Sequence, residues 1–309
     1  MRVERLGGNP IVTPGDRIGE NINGPSVIRV PDWVEDPLGR YYCYFAHHAG
    51  SFIRLAYADD MAGPWEIYDP GVLGVDDTPF GTAAGENGHA HIASPDVHVD
   101  HDRERIRMYY HGLPVDGEDE AGGFSQCTRL ATSGDGLAFR SGEAVLGRFY
   151  FRVFEHGGYH YALAKENRGP DQGESGQRVY RSPDGLGEFE RGPLLLADGS
   201  RHTALRVRGD TLDVFYSRIG DAPERILYTT VDLETPWTEW ETDEPETVLE
   251  PEREWEGADR PVEPSSAGSA DEPVRQLRDP AVFEDDGETF LLYTVAGERG
   301  LAVARIVDA

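Results

Sequence analysis

The chain has 309 residues and carries 57 acidic against 29 basic side chains, a formal net charge of −28. That field would repel a phosphate backbone or an anionic bilayer, so neither a nucleic acid nor a membrane surface is an expected partner. No run approaches the roughly 18 apolar residues of a spanning helix, and Met1 to Leu6 has no apolar leader core, so a cytoplasmic location is expected.

In chain order, the first candidate element is the short segment Pro10-Ile11-Val12-Thr13, which has no neighbour to pair with nearby. From Asn23 onward helical periodicity is nearly absent. Runs rich in Val, Ile, Phe, Tyr and Thr alternate with Gly, Pro and Asp turns, the pattern of an all-β protein. These runs repeat, and the repeat decides the fold.

The first unit opens with Gly24-Pro25-Ser26-Val27-Ile28-Arg29-Val30, continues through Tyr41 to Ala46 and Ile53 to Ala58, and closes with Asp60-Met61-Ala62-Gly63-Pro64-Trp65. The second opens with Ser94-Pro95-Asp96-Val97-His98-Val99 and runs through Ile106 to Tyr110 and Thr128 to Thr132, closing at Ser133-Gly134-Asp135-Gly136. Cys43 and Cys127, the two cysteines, fall in strand-like apolar stretches and are expected as packing residues rather than a disulfide framework. The third unit comprises Tyr150 to Phe154, Tyr159 to Ala164 and Arg178 to Arg181, with the matching turn Ser182-Pro183-Asp184-Gly185. The fourth comprises His202 to Val207, Leu212 to Tyr216 and Ile226 to Val231, followed by Thr235-Pro236-Trp237.

Residues 241 to 276 interrupt the rhythm. They are acidic and rich in Pro, Ser and Gly, and are expected as a long solvated connection, although Trp255-Glu256-Gly257 in its middle is a poor sequence for a disordered segment. The fifth unit then has Asp279 to Phe283, Phe290 to Val295 and Leu301 to Ile306, but no outer strand, which Ile11 and Val12 are expected to supply. The expected architecture is one domain over residues 1 to 309. It is a five-bladed β-propeller of four-stranded antiparallel blades, its last blade closed by the N-terminal strand.

In that architecture the start of each first strand and the end of each second strand share one mouth of the ring. That mouth collects Asn23, Ser94, Tyr150, His202, Arg278 and Asp279, together with His47, His48, His111, Lys165, Glu166, Ser217 and Glu298. Convergence of mixed polar groups on one mouth is what a ligand site needs.

The five-unit pattern, Arg278-Asp279-Pro280 and the Gly-Pro-Trp turn resemble the five-bladed glycosidase superfamily, which includes glycoside hydrolase families 32, 43, 62, 68, 117 and 130. The resemblance implies two or three carboxylates around an axial pocket, acting as base or nucleophile, acid and modulator. In family 43 an Asp opens the first and third blades and a Glu-Gly-Pro segment supplies the acid in the fourth. Here Asn23-Gly24-Pro25, Tyr150 and His202 occupy the corresponding openings, and only Asp279 keeps a carboxylate.

The candidates follow. Asp279 is a base or a hydroxyl acceptor, kept ionised by adjacent Arg278, or else a strand cap. Glu166 and Glu256 are candidate acids, since a glycosidase needs a second carboxyl across the bond. Asp96 either points into the channel or anchors its turn. His202, with Tyr150, His48 and His111, is candidate acid–base machinery or hydroxyl recognition. Asn23, Ser94 and Arg278 are placed to bind sugar hydroxyls. Arg54 and Arg152 suit a carboxylate or several hydroxyls, or a neighbouring Asp. His89 and His91, two apart on an extended segment, are a candidate pair for a divalent metal ion, the one cofactor the residues suggest; solvated histidines are the plainer reading. Lys165 is the only lysine beside 28 arginines, either a required compact ammonium or a chance survivor.

Three functions compete. The first is hydrolysis of a glycosidic bond in a small sugar or oligosaccharide. The second is β-elimination of a uronic acid glycoside by His, Tyr and Arg chemistry. The third is non-catalytic sugar binding. The partner in all three is a carbohydrate, and nothing in the residues specifies an oligomer. High Asp and Glu content with Lys nearly absent also resembles haloarchaeal proteins. If that acidity is an adaptation to salt, the melting temperature should climb substantially between dilute buffer and molar KCl, as counter-ions screen self-repulsion. A flat melting temperature across that range would remove the halophilic reading.

Overall fold

The computed structural model describes residues 1–15, 17–48, 50–81, 90–113, 126–166, 176–197 and 199–307. Among them every long element is a strand, with only single 3-10 turns between. No helix among them is long and apolar enough to cross a membrane.

The strands in chain order are β1 (Arg2–Arg5), then β2 (Asn23–Arg29), β3 (Tyr41–Ala46), β4 (Phe52–Ala58) and β5 (Glu66–Gly74). The next are β6 (Ile92–Asp100), β7 (Arg105–Gly112), β8 (Cys127–Ser133) and β9 (Arg140–Ser141). β10 (Gly147–His156), β11 (Tyr159–Glu166), β12 (Gly176–Ser182) and β13 (Glu190–Leu196) follow. β14 (Ser200–Arg208), β15 (Thr211–Arg218), β16 (Ile226–Asp232) and β17 (Glu246–Leu249) precede β18 (Arg278–Asp285), β19 (Glu288–Thr294) and β20 (Leu301–Val307).

β2 to β5 form one antiparallel four-stranded sheet, β14 to β17 a second, and β18, β19, β20 and β1 a third. The remaining eight strands form one sheet, because Gly147 and Arg148 at the head of β10 pair with Thr128 and Cys127 of β8 before β10 turns to β11. The two-residue β9 covers β8 only at Ala131 and Thr132, so the other end of that edge is open to β10. The first strands β2, β6, β10, β14 and β18 each neighbour the next, and β18 returns to β2, which closes a ring around an axial channel. This is the all-β propeller arrangement of four-stranded antiparallel sheets.

Second strands lie mid-sheet with apolar neighbours on both faces, which is why Tyr41-Tyr42-Cys43-Tyr44-Phe45-Ala46 is buried at every position. Facing sheets interlock through such residues: Tyr42, Tyr44 and Leu55 pack with Ile106, Met108 and Tyr110, and Leu163 and Val179 pack with Val214 and Leu227. Cys43 and Cys127 are both buried thiols in strands, and burial pushes the Cys43 thiol up. Around the channel the first strands are latched at one register. Ser26 Oγ accepts from the Val97 amide at 2.9 Å, Asp96 Oδ2 from the Val153 amide at 2.8 Å, and Arg152 Nε donates to the Thr203 carbonyl at 3.1 Å.

Two expectations need revision. The strand that completes the last sheet is Arg2–Arg5, in register from Arg2 opposite Val307 to Arg5 opposite Ala304. Ile11 and Val12 make only a bridge at Leu301. Arg2-Val3-Glu4-Arg5 has the alternation of an edge strand, with Val3 and Arg5 turned inward and Arg2 and Glu4 outward, and so carries little apolar signal. The connection 241 to 276 is also anchored rather than simply solvated. It holds β17 and a 3-10 turn, Glu254–Glu256, whose fully buried Glu256 carboxylate accepts from Arg5 at 2.7 and 3.0 Å. Deleting residues 1 to 8 therefore strips an edge from β20 and leaves Glu256 without its cation. We expect about 3 kcal/mol or more of lost stability, and aggregation, in a urea melt of the truncated chain. A truncation as stable and soluble as the parent would show that β1 does not close the sheet.

Candidate active site

Each first strand carries one extra residue at the same place. The register slips between Asn23 and Ser26, Ala93 and Asp96, Phe149 and Arg152, Ser200 and Thr203, and Arg278 and Ala281. A bulge re-aims a side chain out of the strand's alternation, here at the mouth of the channel. In four of these bulges the extra residue takes a left-handed conformation: Gly24 (φ 59°), Ser94 (φ 47°), Tyr150 (φ 60°) and Asp279 (φ 47°). Gly24 does so freely, whereas a Tyr there is strained, and strain of this kind persists where the surroundings over-determine it, typically at functional sites.

Asp279 and Tyr150 meet through His202. The His202 Nδ1 abuts Asp279 Oδ1, and its ring stands edge-on to the Tyr150 ring with centroids 3.9 Å apart. On the far side of Tyr150 the His111 ring lies at 4.5 Å, also edge-on. Burial, reinforced by the charges of Arg201 and Arg152, holds His202 well below the usual imidazole range, so the ring is neutral at pH 7. A neutral imidazole whose Nδ1–H donates to a carboxylate has its lone pair on Nε2, the tautomer that this approach of Asp279 favours. Nε2 is buried and has no hydrogen-bond partner among the described residues, nor have Asn23 Oδ1, His111 Nδ1 and Thr203 Oγ1, and the abutting His202 Nδ1 and Asp279 Oδ1 make no formed hydrogen bond there either. Burial also pushes the Tyr150 phenol upward, so it is a neutral donor. Buried polar atoms without partners, gathered at one mouth, are what a ligand satisfies.

A second layer surrounds this cluster. Glu224, fully buried, takes Arg201 in a bidentate pair at 2.7 and 3.2 Å, Ser217 Oγ at 2.6 Å, and Arg278 at 3.4 Å. Glu298 accepts from Arg278 at 3.1 Å and from Asn21, and lies 3.5 Å from His48 Nδ1. Burial would raise the Glu298 carboxyl, but His48, Arg278 and Asn21 together hold it below the usual range. Arg278 is thus turned toward Glu224, Glu298 and Gln276, away from the neighbouring Asp279. The expectation that Arg278 keeps Asp279 ionised is replaced by a His202 contact, with Thr294 Oγ1 at 3.5 Å as the other partner.

Of the other candidates, Ser94 and Asn23 are buried at the mouth and His48 is half-exposed there. Lys165 is buried, donating to the Ser200 carbonyl of the next first strand. Asp96 and Arg152 are the inter-strand latches described above, and Asp96 also binds His98 at 2.8 Å. Glu166 lies within its own sheet, held by Arg178, Arg191 and Tyr180, and Glu256 is held by Arg5 and Tyr293. Neither carboxylate is brought to the His202 cluster. His89 lies outside the described residues. His91 Nε2 engages Gln126 at 3.0 Å, and no group of three metal-capable side chains occurs among the described residues. Glu224 was not singled out by the sequence, where one Glu in so acidic a chain carries no mark.

The ring of four-stranded sheets, with a mouth built from bulged first strands, has the propeller fold of glycoside hydrolases. Superposition on the family 43 β-xylosidase/α-arabinofuranosidase CoXyl43 from a compost microbial metagenome gives a TM-score of 0.64 at 13% identity, covering 99% of this chain and 96% of that one. The family 43 enzyme of Xanthomonas citri gives 0.63 at 15% identity over 99% and 91%. A family 130 structure, described with glycoside hydrolases that target β-1,2 mannosidic linkages in Candida mannan, gives 0.66 at 11% identity over 98% and 93%. No family model matches the sequence. The chain belongs to the family of Uncharacterized protein R118 of Acanthamoeba polyphaga mimivirus, with 36% identity over 313 residues, 93% of this chain and 83% of that protein. A viral relative lends no support to the haloarchaeal resemblance.

Proposed function

We propose that the protein is a carbohydrate-active enzyme that cleaves a glycosidic bond at this mouth, with Asp279 and His202 at its centre. We read β6 to β9 and β10 to β13 as two blades, making five around the axis. The observation that carries the reading is the contrast between carboxylates. Glu224 and Glu298 are each neutralised by guanidinium groups, whereas Asp279, fully buried on a strained bulge, faces an imidazole. A carboxylate kept without a guanidinium partner is available for charge developing on a substrate. The fold likeness to enzymes such as the Xanthomonas citri protein complexed with xylose supports a sugar as that substrate. Under hydrolysis Asp279 is the base or nucleophile, and Asn23, Ser94 and His48 bind hydroxyls.

The arrangement of His202 favours a second reading, β-elimination from a uronic acid glycoside. His202 Nε2 takes the C5 proton, the C4–O bond breaks as the C4–C5 double bond forms, and Tyr150 gives its proton to the departing oxygen. Products separate the two readings. Oligosaccharide screens should yield reducing ends without ultraviolet absorbance under hydrolysis, and an absorbing unsaturated sugar under elimination. Tight binding without turnover of any sugar would leave a binding protein.

A further inference from the structure

Among the described residues, the buried arginines are Arg54, Arg107, Arg152, Arg201, Arg206 and Arg278. Five have a carboxylate within 4.0 Å: Asp100, Asp96, Glu224, Asp213 and Glu298 serve them. Arg54 has none. The residue is 6% exposed, its Nη1 makes one long bond of 3.4 Å to the Asn21 carbonyl, and its Nε is buried with no partner among the described residues. The guanidinium stands 5.0 Å over the Phe52 ring, and burial without a compensating charge lowers it to about 10.

An isolated cation is expensive to bury, and a chain with about twice as many acids as bases had every opportunity to pair it. Its place explains why it would stay open. Arg54 lies opposite Phe45 at the mouth end of the first sheet, beside the chain segment that enters β2. A Cβ at Gly19 would stand in ordinary contact with both side chains, 3.8 Å from Arg54 Nη2 and 3.6 Å from His47 Cδ2, so Arg54 and His47 both flank that turn. Asn21, whose carbonyl meets Arg54, also bonds Glu298 and the His48 amide, and Glu298 bonds Arg278, the neighbour of Asp279. One short hydrogen-bonded path therefore joins the unpaired guanidinium to the layer around Asp279 and His202.

We propose that Arg54, with His47 and Asn21 beside it, is the subsite for an anionic group of the ligand, the carboxylate of a uronic acid residue. The inference rests on the carbohydrate reading above and adds the substrate class. A guanidinium fork matches a carboxylate, and the pair gains most where water is excluded. The missing counter-charge is then the substrate's own.

The test is calorimetric titration at constant ionic strength with D-glucuronate, D-galacturonate and their neutral counterparts glucose and galactose, with acetate and inorganic phosphate as sugar-free anions. Wild type should bind a uronate at least tenfold more tightly than its neutral counterpart. Arg54→Gln should lose that preference, and Arg54→Lys should keep part of it. Circular dichroism confirms that each variant is folded. Equal affinity of wild type for charged and neutral sugars overturns the proposal without any variant and leaves the carbohydrate reading standing. A preference that survives in folded Arg54→Gln overturns it too. Acetate and phosphate binding that depends on Arg54, with no sugar bound, keeps the anion site and overturns the carbohydrate reading. No binding of any probe to wild type overturns both.

Discussion

Asp279→Asn is expected to lower turnover by ~100-fold or more while leaving sugar affinity largely intact, the signature of a group that acts in the transition state. Asparagine keeps the size of the side chain, and it tolerates the left-handed backbone at φ 47° better than most residues, so the bulge should hold. What goes is the charge facing His202 Nδ1 and the capacity to accept a proton. With an amide there, the imidazole loses the partner that keeps its proton on Nδ1, and the Nε2 lone pair is no longer guaranteed. His202→Asn separates the readings. Under hydrolysis His202 positions Asp279 and the loss is mild; under elimination it moves the proton and the loss is severe. The pH profile of kcat/KM adds a further readout. Burial holds His202 well below the ordinary imidazole range, so its acid limb should fall below pH ~6.5 if it serves as base. A fully active Asp279→Asn alongside an inactive His202→Asn would remove Asp279 from the chemistry and put elimination ahead.

The units were legible because each strand has its own apolar run and each turn its own Gly, Pro or Asp. Topology alone then brought Ser94, Tyr150, His202 and Asp279 to one mouth, with no need of contacts. What stayed hidden depends on side-chain direction and on distance along the chain. Arg278 and Asp279 are adjacent, yet the bulge at Asp279 re-aims its side chain, and Arg278 serves Glu224 and Glu298 instead. Arg5 and Glu256 are 251 residues apart, so nothing local in the acidic connection marks Glu256 as buried. Asp96 and Arg152 have the chemistry of binding residues, but they follow directly after the bulges, where the first strands touch and backbone groups need partners. Arg54 was legible as an anion ligand by type. That no carboxylate among the described residues lies within ion-pair distance of it is a fact of the fold.

Glu166→Gln should cost about 3 kcal/mol of stability at pH 7, with the gap closing as the solution is acidified. The carboxylate is almost wholly buried and receives Arg191 at 2.9 and 2.7 Å, Arg178 at 3.0 Å and the Tyr180 hydroxyl at 3.0 Å. Burial alone would raise its pKa, but the two guanidinium groups outweigh it and hold the carboxyl at about 2. An unfolded Glu titrates near ~4.3, so the folded value is depressed by about two units, each equivalent to ~1.4 kcal/mol. A depressed carboxyl stabilises the fold fully above ~4.3, and that contribution drains away as pH falls through the folded value of about 2. Glutamine cannot carry the charge and leaves the largely buried Arg178 and the more exposed Arg191 facing a neutral amide, a loss toward the lower end of that for a broken buried pair. Urea melts of parent and variant at pH 7, 4 and 3 should show the difference shrinking below pH ~4. A difference that stays constant with pH would mean that packing, rather than charge, holds this sheet together. Turnover of the folded variant should match the parent, because the carboxylate is spent on its own arginines. A tenfold or larger loss with the fold intact would instead return Glu166 to the proton-donating role that its place at the end of a second strand first suggested.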